Sequence, residues 1–222
     1  MASTKGRVLN LLGSWVLSEA EVLSVEPVGD RFVHLDVQGP DAAPYAPGTK
    51  IQIVLPSRDV RTYTPIGWNS GRFQLLAFRH AGQTPAMRWL DTVRAGERLR
   101  FVGPQRSLSL PEGPITFIGD ETAIAVAAAY RKARADFKVL FEVEDGLEVQ
   151  PTLNRVGLED AQVVSRGDRT DPVLLDAVAP GAQVGMAGGG AMVQRVRAAL
   201  RERGVTAFKV KTYWLQGRAG LD

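Results

Sequence analysis

Apolar and polar residues alternate through the first half of the chain, then give way to apolar runs and helical spacings in the second. The alternating runs are Glu21-Val22-Leu23-Ser24-Val25, Asp30 to Val37, Ile51 to Leu55 (ending at Pro56), Phe73 to Phe78 and Arg98 to Val102. Successive side chains on a strand point to opposite faces, so each run predicts a half-buried strand, with Val33, Leu35 and Val37 sharing one face. His34 then falls on the polar face and is expected at the surface. Turns separate the runs, at Pro27-Val28-Gly29-Asp30, Gly39-Pro40-Asp41, Pro44-Tyr45-Ala46-Pro47-Gly48 and Asn69-Ser70-Gly71. Short strands at this spacing predict a small antiparallel β-barrel. One helix interrupts them: Thr84 suits an N-cap, Pro85 suits the first helical position, and Met87, Leu90 and Val93 follow at helical spacing until Gly96.

From residue 114 the period changes. Ile115-Thr116-Phe117-Ile118 reads as a buried strand, Gly119-Asp120-Glu121-Thr122 as a turn, and Ala123 to Arg134 as an alanine-rich helix. Lys138 to Val143 is the next strand, followed by a loop and the strand Gln162 to Ser165. A helix is expected over Pro172 to Val178, a strand over Gln183 to Ala187 leading into Gly188-Gly189-Gly190, a helix over Met192 to Glu202 and a strand over Phe208 to Trp214. Strands alternating with helices predict a doubly wound parallel sheet. The chain thus divides into a β-barrel domain at 1–113 and an α/β nucleotide-binding domain at 114–222.

The chemistry concentrates at Arg61-Thr62-Tyr63-Thr64-Pro65-Ile66, where an Arg, an aromatic and a hydroxyl emerge at a strand end. Arg61 and Tyr63 should share a face, and a guanidinium beside a phenol can hold a phosphate while the ring covers a flat ligand. The turn Arg79-His80-Ala81-Gly82-Gln83 precedes the helix that starts at Thr84, and a helix N-terminus beside a glycine suits an anion. The same pattern also suits a barrel-capping helix that binds nothing. Together, Arg61 and the Thr84–Pro85–Ala86–Met87 helix start describe a clamp for a pyrophosphate, with Tyr63 against an aromatic ring and Thr64 at that ring's edge. The ligand this describes is a flavin dinucleotide. In the second domain, Gly119-Asp120-Glu121-Thr122 and Gly188-Gly189-Gly190 fall at carboxyl ends of strands, where doubly wound sheets bind ligands. Tight strand-to-helix turns need glycine with or without a ligand.

Composition narrows the choice of chemistry. With 222 residues and no cysteine, the chain holds no disulfide, thiolate zinc site, iron–sulfur cluster or cysteine nucleophile, and two histidines make a histidine-rich metal site an unexpected feature. Net charge is +3, and the excess lies in the first half: residues 1–113 carry 13 Lys+Arg against 10 Asp+Glu, residues 114–222 carry 14 against 14. That suits a small anionic ligand in the first domain and gives no basis for nucleic-acid binding. No apolar run has the length of a membrane span. Val8, Leu11, Leu12 and Trp15 are spaced as a short amphipathic helix, and the expected location is cytoplasmic. Glu142, Glu144, Asp145 and Glu148 read as a solvated acidic face, and Arg195, Arg197, Arg201 and Arg203 on the last helix as a solvated basic one. Arg166 and Arg169 are candidate partners for a 2′-phosphate, but neither the choice between NADH and NADPH nor the oligomeric state is legible here.

Several segments resemble a known family. Arg61-Thr62-Tyr63-Thr64-Pro65 is similar to the flavin motif of the ferredoxin-reductase-like superfamily. His80-Ala81-Gly82-Gln83-Thr84-Pro85-Ala86-Met87-Arg88-Trp89 resembles a segment of siderophore-interacting proteins, as do Gly96-Glu97, Gly103-Pro104-Gln105-Arg106, Gly119-Asp120-Glu121-Thr122-Ala123 and Tyr213-Trp214-x-x-Gly217. The resemblance spans roughly residues 20–217. It implies a flavin-binding barrel followed by a nicotinamide-dinucleotide-binding domain, with electrons passing from NAD(P)H through FAD to a ferric siderophore or ferric chelate, which leaves as Fe(II). It further implies that Arg61 holds the FAD pyrophosphate, Tyr63 covers the isoalloxazine and Thr64 sits near its reactive nitrogen. The turn from His80 to Met87 completes the phosphate site, and Asp120 to Ala123 border the nicotinamide and its ribose. The chain departs from the family pattern at Ala187-Gly188-Gly189-Gly190, which lacks the usual acid, and at Gln83-Thr84, which replaces the usual glycine before Pro85. An outer-sphere electron donor needs no iron ligands of its own. A flavoprotein reductase for a non-iron acceptor, or a nucleotide-holding sensor or carrier without turnover, fits the same residues.

Overall fold

The computed structural model describes residues 17–41, 45–167 and 170–217, except the side chain of Thr170. The helix expected around Val8 to Trp15, Pro44 of the expected turn, and Arg169 lie outside the described residues. The chain forms two compact units that divide between Ser107 and Leu108.

The first unit is a seven-stranded antiparallel sheet. Its strands are β1 (Ser18–Val28), β2 (Phe32–Gln38), β3 (Thr49–Val54), β4 (Val60–Tyr63), β5 (Ile66–Asn69), β6 (Arg72–Phe78) and β7 (Arg98–Arg106), with helix α1 (Pro85–Thr92) before β7. The strand order is β4-β3-β7-β1-β2-β6-β5. The two end strands, β4 and β5, are joined only by Thr64-Pro65, so the sheet must curl until its ends meet. The result is a barrel. Its interior takes the apolar half of each alternating run: Val33, Leu35 and Val37 from β2, Ile51 and Ile53 from β3, Phe73 and Leu75 from β6. Phe73 stacks on Trp68 with ring centroids 4.0 Å apart and meets Phe101 edge-on at 6.1 Å. Helix α1 adds Ala86, Met87, Trp89 and Leu90 to the same core.

His34 is not at the surface. It is 1% exposed, in register with Leu76 on β6, which is also buried. Strand β2 lies between β1 and β6 and is covered on both faces, so alternation does not lead to solvent there.

The second unit is a five-stranded parallel sheet flanked by helices. Its elements are β8 (Ile115–Gly119), a 3₁₀ turn (Glu121–Ala123), α2 (Ile124–Arg131), β9 (Phe137–Val143), α3 (Gly146–Arg155), β10 (Gln162–Ser165), α4 (Thr170–Asp176), β11 (Gln183–Gly189), α5 (Gly190–Glu202) and β12 (Phe208–Trp214). The order β10-β9-β8-β11-β12, parallel throughout, reverses direction between β8 and β11. Alanines at 125, 127, 128 and 129 are buried on α2, their small side chains suiting close approach to the sheet.

Residues 108–113 belong to this second unit. The Tyr130 hydroxyl donates to Leu108 O at 2.7 Å and accepts from Leu110 N at 3.0 Å, and Arg134 donates to Pro111 O at 2.8 Å. The Leu110 side chain lies where a Cβ on Gly185 would come within 2.8 Å, so the glycine in β11 makes room for this strap.

Helix α3 occupies what the sequence suggested was loop. Asp145 caps it, its Oδ1 accepting from Leu147 N at 2.8 Å and Glu148 N at 3.3 Å, and Val149 and Leu153 face the interior. Pro151 sits inside the helix and removes the bond to the carbonyl of Leu147, a residue 89% exposed. That carbonyl can turn to water instead, which lowers the usual cost of a helical proline.

Candidate functional site

In the first unit, β3 fixes the orientation of the Arg61 segment. Ile51 pairs with Tyr63 and Ile53 with Arg61, and directly opposed residues of an antiparallel pair project to the same face. Both isoleucines are fully buried, so Arg61 and Tyr63 leave the strand toward the barrel interior while Thr62 between them is exposed. Tyr63 is half-buried at the margin of the core, its ring 6.0 Å from Trp89 on α1. That contact brings the end of β4 against the helix whose start was singled out from the sequence. Burial pushes the Tyr63 phenol well above its ordinary pKa, with only a partial offset from the Arg61 charge. The ring therefore stays neutral at any physiological pH. Arg61 is half-buried; its Nη1 donates to Val60 O at 2.8 Å, and its guanidinium forms no ion pair among the described residues. Thr64 begins the link to β5.

The start of α1 is built as expected. Thr84 is the N-cap and its Oγ1 accepts from Met87 N at 3.4 Å; Pro85 opens the helix, and Ala86 and Met87 turn their side chains into the core. The preceding turn is tied down from the helix: Arg88 donates to Gln83 O at 2.6 Å, Arg79 donates to Leu90 O at 3.0 Å, and Arg79 pairs with Asp91. His80 lies in this turn with Nδ1 3.0 Å from Ala81 O. Gly82 has φ +107°, and a Cβ there would meet nothing within 4 Å. It is glycine for its backbone conformation, in open space beside a helix start.

In the second unit the two glycine turns meet around one carboxylate. Asp120 directly follows β8 and is 1% exposed. Its Oδ1 accepts from Thr122 N (2.9 Å) and Thr122 Oγ1 (2.5 Å); its Oδ2 accepts from Gly189 N (2.7 Å) and Trp214 Nε1 (3.0 Å). Burial raises the Asp120 carboxyl above the usual range, against the pull of these hydrogen bonds. Gly188, at φ +134°, would put a Cβ 2.6 Å from this carboxylate, and a Cβ on Gly189 would lie 2.5 Å from the Trp214 ring. Gly119 is as crowded, its Cβ position 2.7 Å from Ala123. Asp120, Gly119, Gly188, Gly189 and Trp214 thus form a single joint between β8, β11 and β12, at the point where strand order reverses. The glycines are required by protein atoms, whatever else approaches.

Glu121 and Glu142 extend this region toward β10. Glu121 accepts from Glu144 N at 2.6 Å and pairs with Arg166 at 3.3 Å. Glu142 is 1% exposed, not part of a solvated face: Arg166 Nε lies 3.1 Å away and Arg195 also pairs with it. Arg195 in turn reaches Asp171 at 2.8 Å. Burial opposes the Arg166 charge, but Glu121 and Glu142 outweigh it and raise its pKa. No sequence spacing announces this chain of charges, because its members come from the 3₁₀ turn after β8, β9, the residue past β10, α4 and α5. Among the described residues, no group of three or more His, Cys, Asp or Glu is arranged to hold a metal ion, and no helix is long and apolar enough to cross a membrane.

No protein-family model and no curated protein sequence matches the chain. Solved structures do resemble it in fold. A siderophore-interacting protein from Acinetobacter baumannii superposes with a TM-score of 0.72 at 17% identity, over 91% of this chain and 92% of that one. A siderophore utilization protein from T. fusca superposes with a TM-score of 0.72 at 22% identity, over 94% and 97%. Phthalate dioxygenase reductase, described as a modular structure for electron transfer from pyridine nucleotides to an iron–sulfur centre, gives 0.72 at 14% identity, over 91% and 70%. At these identities the likeness establishes the fold: an antiparallel barrel followed by a doubly wound parallel sheet.

Proposed function

We propose that the protein is an FAD-dependent oxidoreductase that takes electrons from NAD(P)H and reduces a ferric siderophore or ferric chelate. The observation that carries this reading is the packing of Tyr63, two residues from Arg61, against helix α1. Arg61 forms no ion pair among the described residues, Tyr63 is neutral and half-buried, and Tyr63 packs on the helix that Thr84 caps. These residues fit a flavin dinucleotide. Arg61, with N–H groups to spare, would hold the pyrophosphate, with the open turn at Gly82 and the start of α1 as its second support. Tyr63 would lie against the flavin ring and Thr64 at its edge. FAD, when bound, supplies the exchange between a two-electron hydride donor and one-electron acceptors. In balance, one NAD(P)H loses a hydride, two ferric centres each gain one of its two electrons, and one proton is released to solvent. The ferric ion arrives as substrate with its own ligands.

The fold likeness to two siderophore-related proteins along nearly their full lengths favours an iron chelate as acceptor. The likeness to phthalate dioxygenase reductase favours a second acceptor, a separate redox protein. An iron–sulfur cluster held by cysteines is not within these 222 residues, which contain none. The deciding experiment begins with the visible spectrum of the purified protein and identification of any chromophore released on denaturation. A two-banded yellow spectrum yielding FAD is expected. Anaerobic NADH or NADPH should then bleach it, and a ferric chelate should restore it with trapped Fe(II) appearing at two per nucleotide oxidised. A protein that neither carries nor takes up FAD overturns the assignment; a flavin that neither nucleotide bleaches leaves a carrier or sensor.

A further inference from the structure

We propose that the second unit selects the nucleotide without a 2′-phosphate, NADH over NADPH, because Arg166, an arginine placed to read that phosphate, is already held by buried carboxylates. This rests on reading the unit as a nicotinamide-nucleotide domain. In a doubly wound sheet the dinucleotide lies across the carboxyl ends of the strands at the switch point, here between β8 and β11. The adenine ribose is then discriminated at the strands beside the first one, by an acid for the free 2′-hydroxyl or by an arginine for the 2′-phosphate. In this chain those strands are β9 and β10. Arg166 is the first residue past β10, and Glu142 is one residue short of the end of β9.

The Arg166 guanidinium gives Nε to Glu142 at 3.1 Å and Nη2 to Glu121 at 3.3 Å. Nε and Nη2 form one of the two edges with which arginine grips an oxyanion, and the other edge, Nη1 with Nη2, shares the nitrogen that already bonds Glu121. Turning that edge to a phosphate would strip Glu142, whose side chain is 2% exposed, of one of its two cationic partners. A buried carboxylate left undercompensated is costly. Arg195 is no substitute, since it is shared between Glu142 and Asp171. Among the described residues the local sum is three carboxylates (Glu121, Glu142, Asp171) against two guanidinium groups (Arg166, Arg195), with the Asp120 carboxylate also acting on Arg166. A 2′-phosphate would bring further negative charge, of order −1.5 to −2, toward a cluster with no positive excess. A ribose hydroxyl brings none.

Calorimetry of the full chain with ADP-ribose and with 2′-phospho-ADP-ribose tests this without relying on turnover. ADP-ribose should bind more tightly by about tenfold or more. Equal or tighter binding of the 2′-phosphorylated compound overturns the inference while leaving the nucleotide domain intact. Binding of neither overturns the nucleotide-domain reading and the inference with it. Glu121→Gln keeps an oxygen for Glu144 N but removes one charge, so the preference should narrow several-fold, chiefly through a gain for the 2′-phosphorylated compound. A preference unchanged in that variant would refute the charge cluster as its cause. Should the variant fail to fold, the comparison on the unsubstituted protein still decides.

Discussion

Arg61, within β4, and Asp120, just past the end of β8, both lie within residues that look like ligand motifs, yet they spend their hydrogen-bonding capacity in opposite ways. Asp120 accepts four hydrogen bonds from three places in the chain and is closed off from solvent. Arg61 gives one bond to its neighbour's carbonyl and remains half-buried. A buried polar group that is fully satisfied builds the fold, whereas a half-exposed one with donors in hand is available to a ligand. The glycines divide in the same way. At Gly188 and Gly189 a side chain would strike Asp120 and Trp214; at Gly82 it would meet nothing within 4 Å. Both regions carry motif-like residues, but only the first shows unspent chemistry in its side chains.

The sharpest way to break this contrast is to remove the carboxylate. Asp120→Ala leaves the Gly189 N–H, the Trp214 indole N–H and both Thr122 donors without their acceptor inside the joint. The Gly189 donor is buried and those of Thr122 and Trp214 are partly buried; a stranded buried donor costs about 1–3 kcal/mol, so a loss of about 3 kcal/mol is expected from the set. Chemical denaturation followed by tryptophan fluorescence and circular dichroism should show it. A loss under about 1 kcal/mol would mean that the joint is not what holds β8, β11 and β12 in place.

At the other site the expected pattern is reversed. Arg61→Ala should weaken FAD binding by about tenfold or more, the worth of a charge-assisted phosphate contact, while changing stability by no more than about 0.5 kcal/mol. Flavin titration and denaturation of the same variant check both halves. Unchanged flavin affinity would remove Arg61 from the site. A large loss of stability would place it with Asp120 among the residues that build the fold.

The contrast also explains what could be read from the sequence. Period-2 alternation located the principal barrel strands, since one face of most of them meets the core, and it misplaced His34 because β2 is covered on both sides. Thr84-Pro85 announced α1 through local chemistry alone. Asp145 and Glu148, three residues apart with Val149 and Leu153 beyond, form an equally local signal for α3, but Pro151 reads against it. The charge chain was illegible for a different reason: Glu142 meets Arg166 and Arg195 at separations of 24 and 53 residues, which only the parallel sheet brings together. The tie from Asp120 to Trp214 spans 94 residues. Both ends of that tie are visible as motif pieces, yet nothing in their spacing says that one accepts a hydrogen bond from the other.

Tyr63 gives the smallest effect and the finest test, because it lies between the two extremes: part of the core, yet at the edge of the open site. In the unfolded chain its phenol ionises near pH ~10. In the folded protein burial holds the proton to higher pH. The folded state therefore binds that proton more tightly than the unfolded one, and stability should fall as pH rises from ~10 upward. Ultraviolet titration of wild type and Tyr63→Phe should be indistinguishable up to about pH 11 while the protein is folded, with one fewer ionising phenol in the variant only after unfolding. If Tyr63→Phe instead removes a step near pH 10 from the folded protein, the ring is more open than its packing on Trp89 indicates. The phenol would then be a polar partner for a flavin edge, and a neutral ring lying against the flavin would no longer describe it.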